Sequence, residues 1–426
     1  MRFNSKLIHA GWDSDENSEG SITVPIYRTT AYKFNNTEHA ANLFGLKEFG
    51  NIYSRLGNPT VGALEARLTA LEDGAMCVAL SSGTSAVMYS LINIMSQGDN
   101  FVTANQLYGG TYTMFDNILP EYGINSKKVD ITDLEAVEAA IDEKTRAIYC
   151  ETITNPGLVV ADISALADIA HSKGIPLIVD ATFTTSAILK PFEYGADIVV
   201  YSLTKWMSGH GRVIAGAVIE KGGFDWGNGN FPLYDKPDTS YGGMRWGHDL
   251  GDLGNVAYSL RLRTVPLRNL GANMSPDTAF EVMSGLETLA LRMERHCENA
   301  IKAAEYLTEH ELVEWVRFPG LKDDPAYDLS EKYLKGTGGT MVVFGIKGGK
   351  DAGQKFIDYL KMFRHVANVG DTRSLAIHPA TTTHSQLDED QLIAAGSPPE
   401  LIRLSIGIED IEDIIEDLSQ ALESTK

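Results

Sequence analysis

Two ionisable residues each stand just beyond a short apolar run. Asp180 follows Ile175-Pro-Leu-Ile-Val179, and Lys205 follows Ile198-Val-Val-Tyr-Ser-Leu-Thr204, 25 residues downstream. Unbroken apolar runs of this length have the character of strands buried on both faces of a parallel sheet. A carboxylate at the mouth of such a strand needs a partner. Taken alone, Asp180 reads equally as a turn or helix-cap residue, and Lys205 as a surface lysine with a solvated head group. Taken together they define a cleft, because two parallel strands joined by a right-handed crossover bring their carboxyl ends to one edge. An amine there can form an imine and shuttle protons, and the carboxylate suits a protonated pyridine nitrogen.

Other residues extend this chemistry. Ser81-Ser-Gly-Thr-Ser85 joins an apolar run to a helical pattern, so its amides and hydroxyls can receive a phosphate at the positive end of a helix dipole. A simple N-cap is the other reading. With Ser202 and Thr204 beside the lysine, the segment completes the phosphate cup required by a lysine-linked pyridoxal 5′-phosphate (PLP). Tyr108 follows another strand end and can stack on an aromatic ring or pack in the core. Arg403 lies within Leu401-Ile-Arg-Leu-Ser405, where a guanidinium is costly unless paired with a carboxylate, internal or from a substrate. Tyr53 and Arg55, before Gly57-Asn-Pro-Thr60, read in isolation as an exposed turn.

The elements that position these residues follow from periodicity. Apolar runs at 77–80, 101–104, 147–150, 176–179 and 198–203 alternate with helical spacing at 61–71, 86–95 and 163–172. This predicts an α/β fold with a mostly parallel sheet and ligands at the carboxyl ends of its strands. Residues 1–58 read as a polar extended arm, 59–285 as the cofactor-binding domain and 286–426 as a smaller C-terminal α+β domain. In that last part a long helix at 286–307 precedes strand-like segments at 341–344 and 401–405 and an amphipathic final helix. Residues 222–243, rich in Gly, Asn and aromatic residues, read as a surface excursion, a lid or a subunit contact.

The 426-residue chain carries a net charge of -21, which argues against nucleic acid or an anionic membrane surface as partner. Cys77, Cys150 and Cys297 are far apart and suggest neither a disulfide framework nor a zinc site. No apolar run has signal-peptide or membrane-spanning length, so the expectation is a cytoplasmic protein. Gly345-Ile-Lys-Gly-Gly-Lys350 lacks the spacing and the Ser or Thr of a nucleotide P-loop. His378 and His384 lack the spacing of a zinc pair, so no metal is expected.

Tyr53-Ser-Arg-Leu-Gly-Asn-Pro-Thr60, Ser81-Ser-Gly83, Val179-Asp-Ala-Thr182, Ser202-Leu-Thr-Lys205 and Arg403-Leu-Ser-Ile-Gly-Ile-Glu-Asp410 together resemble the Cys/Met-metabolism (trans-sulfuration) PLP-dependent enzymes. The resemblance runs from about residue 6 to residue 422. It implies the aspartate-aminotransferase-like architecture, fold type I. It also implies that Lys205 forms the internal aldimine, that Asp180 pairs with the pyridine nitrogen, and that Gly83, Thr84, Ser202 and Thr204 bind the phosphate. Tyr53 and Arg55 would reach that phosphate from the neighbouring subunit of a homotetramer built as a dimer of dimers. Tyr108 would stack on the ring and assist the leaving group, while Asn155 and Arg403 would orient cofactor and substrate carboxylate. Asn368-Val-Gly-Asp371, residues 377–385 and the 222–243 excursion look most like the branch that replaces the acetoxy group of O-acetylhomoserine with sulfide or a small thiol. Methionine γ-lyase and cystathionine γ-synthase or γ-lyase chemistry are the alternatives; Gly110, where methionine γ-lyases carry a cysteine, counts against the first.

Overall fold

The strand that ends in Asp180 and the strand that precedes Lys205 are hydrogen-bonded neighbours, and the architecture follows from that pair. The computed structural model describes residues 1–15, 19–382 and 396–426; Thr383, His384 and Ser385 of the 377–385 segment lie outside the described residues. The large sheet comprises β1 (Met76–Leu80), β2 (Asn100–Ala104), β3 (Asn125–Val129), β4 (Thr145–Glu151), β5 (Leu177–Asp180), β6 (Ile198–Ser202) and β7 (Gly216–Glu220), in the order β1-β7-β6-β5-β4-β2-β3. Only β7 runs antiparallel to its neighbours. Strands β2, β4 and β7 are buried throughout, as expected for a sheet with both faces covered. The predicted mostly parallel sheet is therefore present.

A smaller sheet comprises β8 (Val313–Arg317), β9 (Met341–Ile346), β10 (Arg364–His365), β11 (Leu375–Ile377) and β12 (Leu401–Ser405), in the order β10-β11-β12-β9-β8. Buried apolar side chains form two clusters, one around each sheet. The helix Leu289–Thr308 joins them: Leu289, Met293 and Cys297 pack in the first, and Ala300, Ala304 and Leu307 in the second.

Several details differ from the sequence expectations. The long helix expected over 286–307 is present as Leu289–Thr308, and a separate helix, Pro276–Leu286, precedes it across Glu287-Thr288. Strands β3, β7, β8, β10 and β11 were not expected. The arm at 1–58 contains the helices Phe3–His9 and Thr37–Phe44, and Leu7 is buried in the large core. The 222–243 stretch lies largely at the surface but is anchored: Trp226, Phe231 and Tyr234 are buried, and Trp226 stacks on Tyr234 and Tyr258 with ring centroids 5.1 Å apart in each case. Its aromatic residues anchor the loop from below while its Gly and Asn residues form the turns above.

Candidate active site

The turn after β6 is held from both sides. The Lys205 N–H donates to the Ser202 carbonyl at 3.2 Å, and the Gly209 N–H to the Lys205 carbonyl at 2.8 Å. From the interdomain helix, the buried Arg292 guanidinium donates to the carbonyls of Trp206 at 2.7 Å and Met207 at 3.3 Å. The lysine backbone is thus fixed, and its side chain reaches into the cleft to donate from Nζ to Asn368 Oδ1 at 2.6 Å. Burial, with the Arg403 charge nearby, pushes the amine down to about 8. A neutral amine is the form that attacks a carbonyl or removes a proton.

Asp180 ends β5 and pairs in register with Val200 of β6 and Glu151 of β4. Its carboxylate accepts from the Thr182 N–H at 2.9 Å and the Tyr149 hydroxyl at 3.3 Å. Burial pushes this carboxyl upward and the Thr182 and Tyr149 donors oppose it. No Lys or Arg among the described residues pairs with it, so the acid stands ready for a cation from outside the chain.

Arg403, in the middle of β12, crosses from the small sheet to the large one. Its Nη1 donates to Asn155 Oδ1 at 2.9 Å and its Nη2 to the Asn368 carbonyl at 3.4 Å. Burial pushes the guanidinium down to about 10, and no carboxylate among the described residues pairs with it. A guanidinium enclosed in this way binds a planar carboxylate with two parallel bonds. The internal-acid partner that its sequence position left open is therefore absent among the described residues.

Tyr108 caps the short helix Gly109–Thr113, and its ring is half exposed to the cleft. Gly110 leaves room for that ring: a Cβ there would lie 2.6 Å from Tyr108 Cε1. The Tyr108 N–H donates to the buried Glu151 at 2.8 Å.

The anion cup has a steric explanation. Leu80 of β1 and Ser202 of β6 both pair with Gly216, the first residue of β7. Because Gly216 has no side chain, Ser82 crosses over it and brings the helix Gly83–Ile92 against β6. A Cβ on Gly83 would lie 2.5 Å from Ser202 Cβ, so glycine is required there. Ser82 caps the helix by accepting from the Ser85 N–H at 3.0 Å, which leaves the Gly83 and Thr84 amides for an anion. The Thr204 hydroxyl donates to the Ala215 carbonyl at 3.2 Å and accepts from its N–H at 3.0 Å.

Lys205, Asp180, Asn155, Arg403, Tyr108, Gly83, Thr84, Ser202 and Thr204 thus lie along the carboxyl ends of the large sheet and the facing strand of the small one. Tyr53 and Arg55 are not among them within the protomer: both are exposed, and Arg55 lies over the Tyr53 ring at 5.3 Å. The sequence reading missed Tyr149 and Glu151 as site residues and used Asn368 only as a marker of likeness. Strand parity puts Tyr149 and Glu151 on one face of β4, but only the β4–β5 register places that face beside Asp180. Among the described residues no three His, Cys, Asp or Glu side chains gather as a metal site would require.

A reactive amine, an acid with no cation beside it among the described residues, a glycine-built anion cup and an aromatic face fit the amine, pyridine, phosphate and ring demands of PLP. The fold and this cluster define a PLP-dependent enzyme of fold type I. The chain belongs to the Cys/Met metabolism PLP-dependent enzyme family, whose sequence pattern matches residues 4–423. It is 46% identical to the O-acetyl-L-homoserine sulfhydrylase of Leptospira meyeri, over 98% of this chain and 96% of that one. It is also 46% identical to O-acetyl-L-homoserine sulfhydrylase 1 of Thermus thermophilus, over 99% and 100%, and 45% identical to the homocysteine synthase of Schizosaccharomyces pombe, over 99% and 98%. A solved structure from Campylobacter jejuni, of a protein named for O-acetylhomoserine (thiol)-lyase activity, superposes with a TM-score of 0.95 at 40% identity, covering 99% of this chain and all of that one. That structure carries N′-pyridoxyl-lysine-5′-monophosphate at its position 205.

Arg403→Lys tests the carboxylate reading. A point charge replaces the fork, so KM for the amino-acid substrate is expected to rise about tenfold or more while kcat changes less. An unchanged KM would show that the guanidinium binds no substrate.

Proposed function

We propose that the protein converts O-acetyl-L-homoserine and sulfide, or a small thiol, into L-homocysteine, or methionine, and acetate by replacement at Cγ. The observation that carries this reading is the placement of a catalytic-type amine, Lys205, one asparagine away from an arginine that has no carboxylate partner among the described residues. The names of the full-length relatives point the same way.

In this reading Gly83, Thr84, Ser202 and Thr204 hold the phosphate of PLP, Asp180 keeps a proton on the pyridine nitrogen, and Tyr108 covers the ring. When bound, PLP supplies an electron sink for the charge that develops on the substrate carbons. Arg403 and Asn155 fix the substrate carboxylate, which sets Cα within reach of Lys205. The neutral Lys205 amine removes the Cα proton. Loss of a Cβ proton then expels acetate from Cγ, with Tyr108 beside the leaving oxygen. Sulfide adds at Cγ, and protons return to Cβ and Cα.

Residues 1–58 act as an arm toward a neighbouring subunit, 59–285 as the PLP domain and 286–426 as the C-terminal domain. Exposed Ile22, Phe44, Phe49 and Tyr53 on that arm support a protein contact. Tyr53 and Arg55 would then complete a neighbour's phosphate site in a homotetramer built of two dimers. The cytoplasm is the proposed location; no helix among the described residues is long and apolar enough to cross a membrane.

Incubation of the PLP-loaded protein with O-acetylhomoserine and sulfide tests the reaction. Equal amounts of homocysteine and acetate are expected. Accumulation of 2-oxobutyrate and ammonia would establish elimination instead, and cystathionine formed preferentially from added cysteine would establish the cystathionine-forming reaction.

A further inference from the structure

The pairing of β4 with β5 sets Glu151 directly beside Asp180 at the open end of the sheet. Glu151 is buried, 6% exposed. It accepts the Tyr108 N–H at 2.8 Å and also bonds to the Asn155 backbone. Both tethered residues reach the cleft: Tyr108 presents its ring, and Asn155 holds the Arg403 guanidinium. One side chain therefore joins the wall that carries Asp180 to the two loops that face substrate.

Two neighbouring carboxyls in a site that excludes water do not both stay charged. Asp180 has the Tyr149 hydroxyl and the Thr182 amide to hold its charge. Burial first, and then the Asp180 charge, push the Glu151 carboxyl well above the usual carboxylate range. Burial pushes the Asp180 carboxyl upward as well, against its Thr182 and Tyr149 donors.

We infer that Glu151 is a positioning residue that pegs Tyr108 and Asn155 against the Asp180 wall of the cofactor cleft. The inference rests on the reading of Asp180 as partner of the pyridine nitrogen. Glutamine keeps an accepting oxygen at the same reach for the Tyr108 N–H, whereas alanine offers none.

Wild type, Glu151→Gln and Glu151→Ala are compared by amide hydrogen exchange at Tyr108 and Asn155, on the full chain with and without added PLP. The alanine variant is expected to lose protection at both amides on the order of tenfold while the glutamine variant keeps it. With PLP bound, the alanine variant should show weakened visible circular dichroism and a KM raised on the order of tenfold, both restored in Glu151→Gln. Should the alanine variant fail to fold, Glu151→Asp, shorter by one methylene, gives the same comparison. Unchanged protection without the carboxyl, or a glutamine variant as damaged as alanine, would overturn the inference. Failure of the catalytic reading looks different: wild type would take up no PLP, while the exchange pattern across the variants would still report on the peg.

Discussion

Lys205→Ala is expected to lower kcat by at least about 10⁴-fold, because it removes both the group that moves the Cα proton and the covalent anchor of the cofactor. The folded state should survive, since the lysine backbone is fixed by Ser202, Gly209 and Arg292 and not by its own side chain. The variant should still take up PLP through the anion cup and Asp180, but without the long-wavelength absorption of the lysine-bound form. Retained yellow colour and turnover in the variant would assign the chemistry to another lysine. The amine also fixes a pH dependence. Its ordinary value is 10.5 and the cleft brings it down to about 8, so it is charged below about pH 8 and neutral above. Cofactor uptake should quicken through pH 8 and then level off; a solvated lysine would keep gaining toward 10.5. The same depression means that the folded chain binds fewer protons than the unfolded one between these values, so stability rises with pH across that window. Stopped-flow absorbance of apoprotein mixed with PLP measures the first effect.

Asp180→Asn should cost about 10²–10³-fold in kcat, the scale of removing one preorganised electrostatic group from an enclosed site. The amide keeps the shape but offers no charge to hold a proton on the pyridine nitrogen. The Thr182 and Tyr149 donors, aimed at a carboxylate, would then face a weaker acceptor. The substrate KM should move much less than kcat, since Arg403 and Asn155 hold the carboxylate. A cofactor analogue carrying a permanent positive charge on the ring nitrogen separates the causes. Activity restored by it assigns the loss to ring protonation, whereas no restoration assigns it to a disturbed wall.

The parts of this site that the sequence announces are those encoded within a few residues. An apolar run that stops at Asp180, another that stops before Lys205 and a small-residue turn at Ser81–Ser82–Gly83 each carry their own signal, and a parallel sheet turns those signals into a shared edge. Arg403 is legible for the same reason, as a charge out of place in a strand. The tie between Lys205 and Asn368 joins residues far apart in sequence and on opposite sides of the cleft, so no local pattern contains it. Glu151 was hidden because a strand-end acid has many ordinary uses, and only the register with Asp180 distinguishes it. Strand β7 escaped because the residues before it break the alternation, although Gly216 at its start is what lets Ser82 cross. In the 222–243 stretch, glycine and asparagine suggest exposure, while the burial of Trp226, Phe231 and Tyr234 decides the packing. Composition gives the turns there, and the aromatic residues give the anchor.

Hydride reduction of the PLP-loaded protein, followed by digestion and mass spectrometry of the peptides, tests the central claim most directly, because it locks the cofactor onto whichever amine holds it. The pyridoxyl group is expected on the peptide containing Lys205 and on no other, in stoichiometric yield. A modified peptide from elsewhere in the chain, or none at all, would contradict the account.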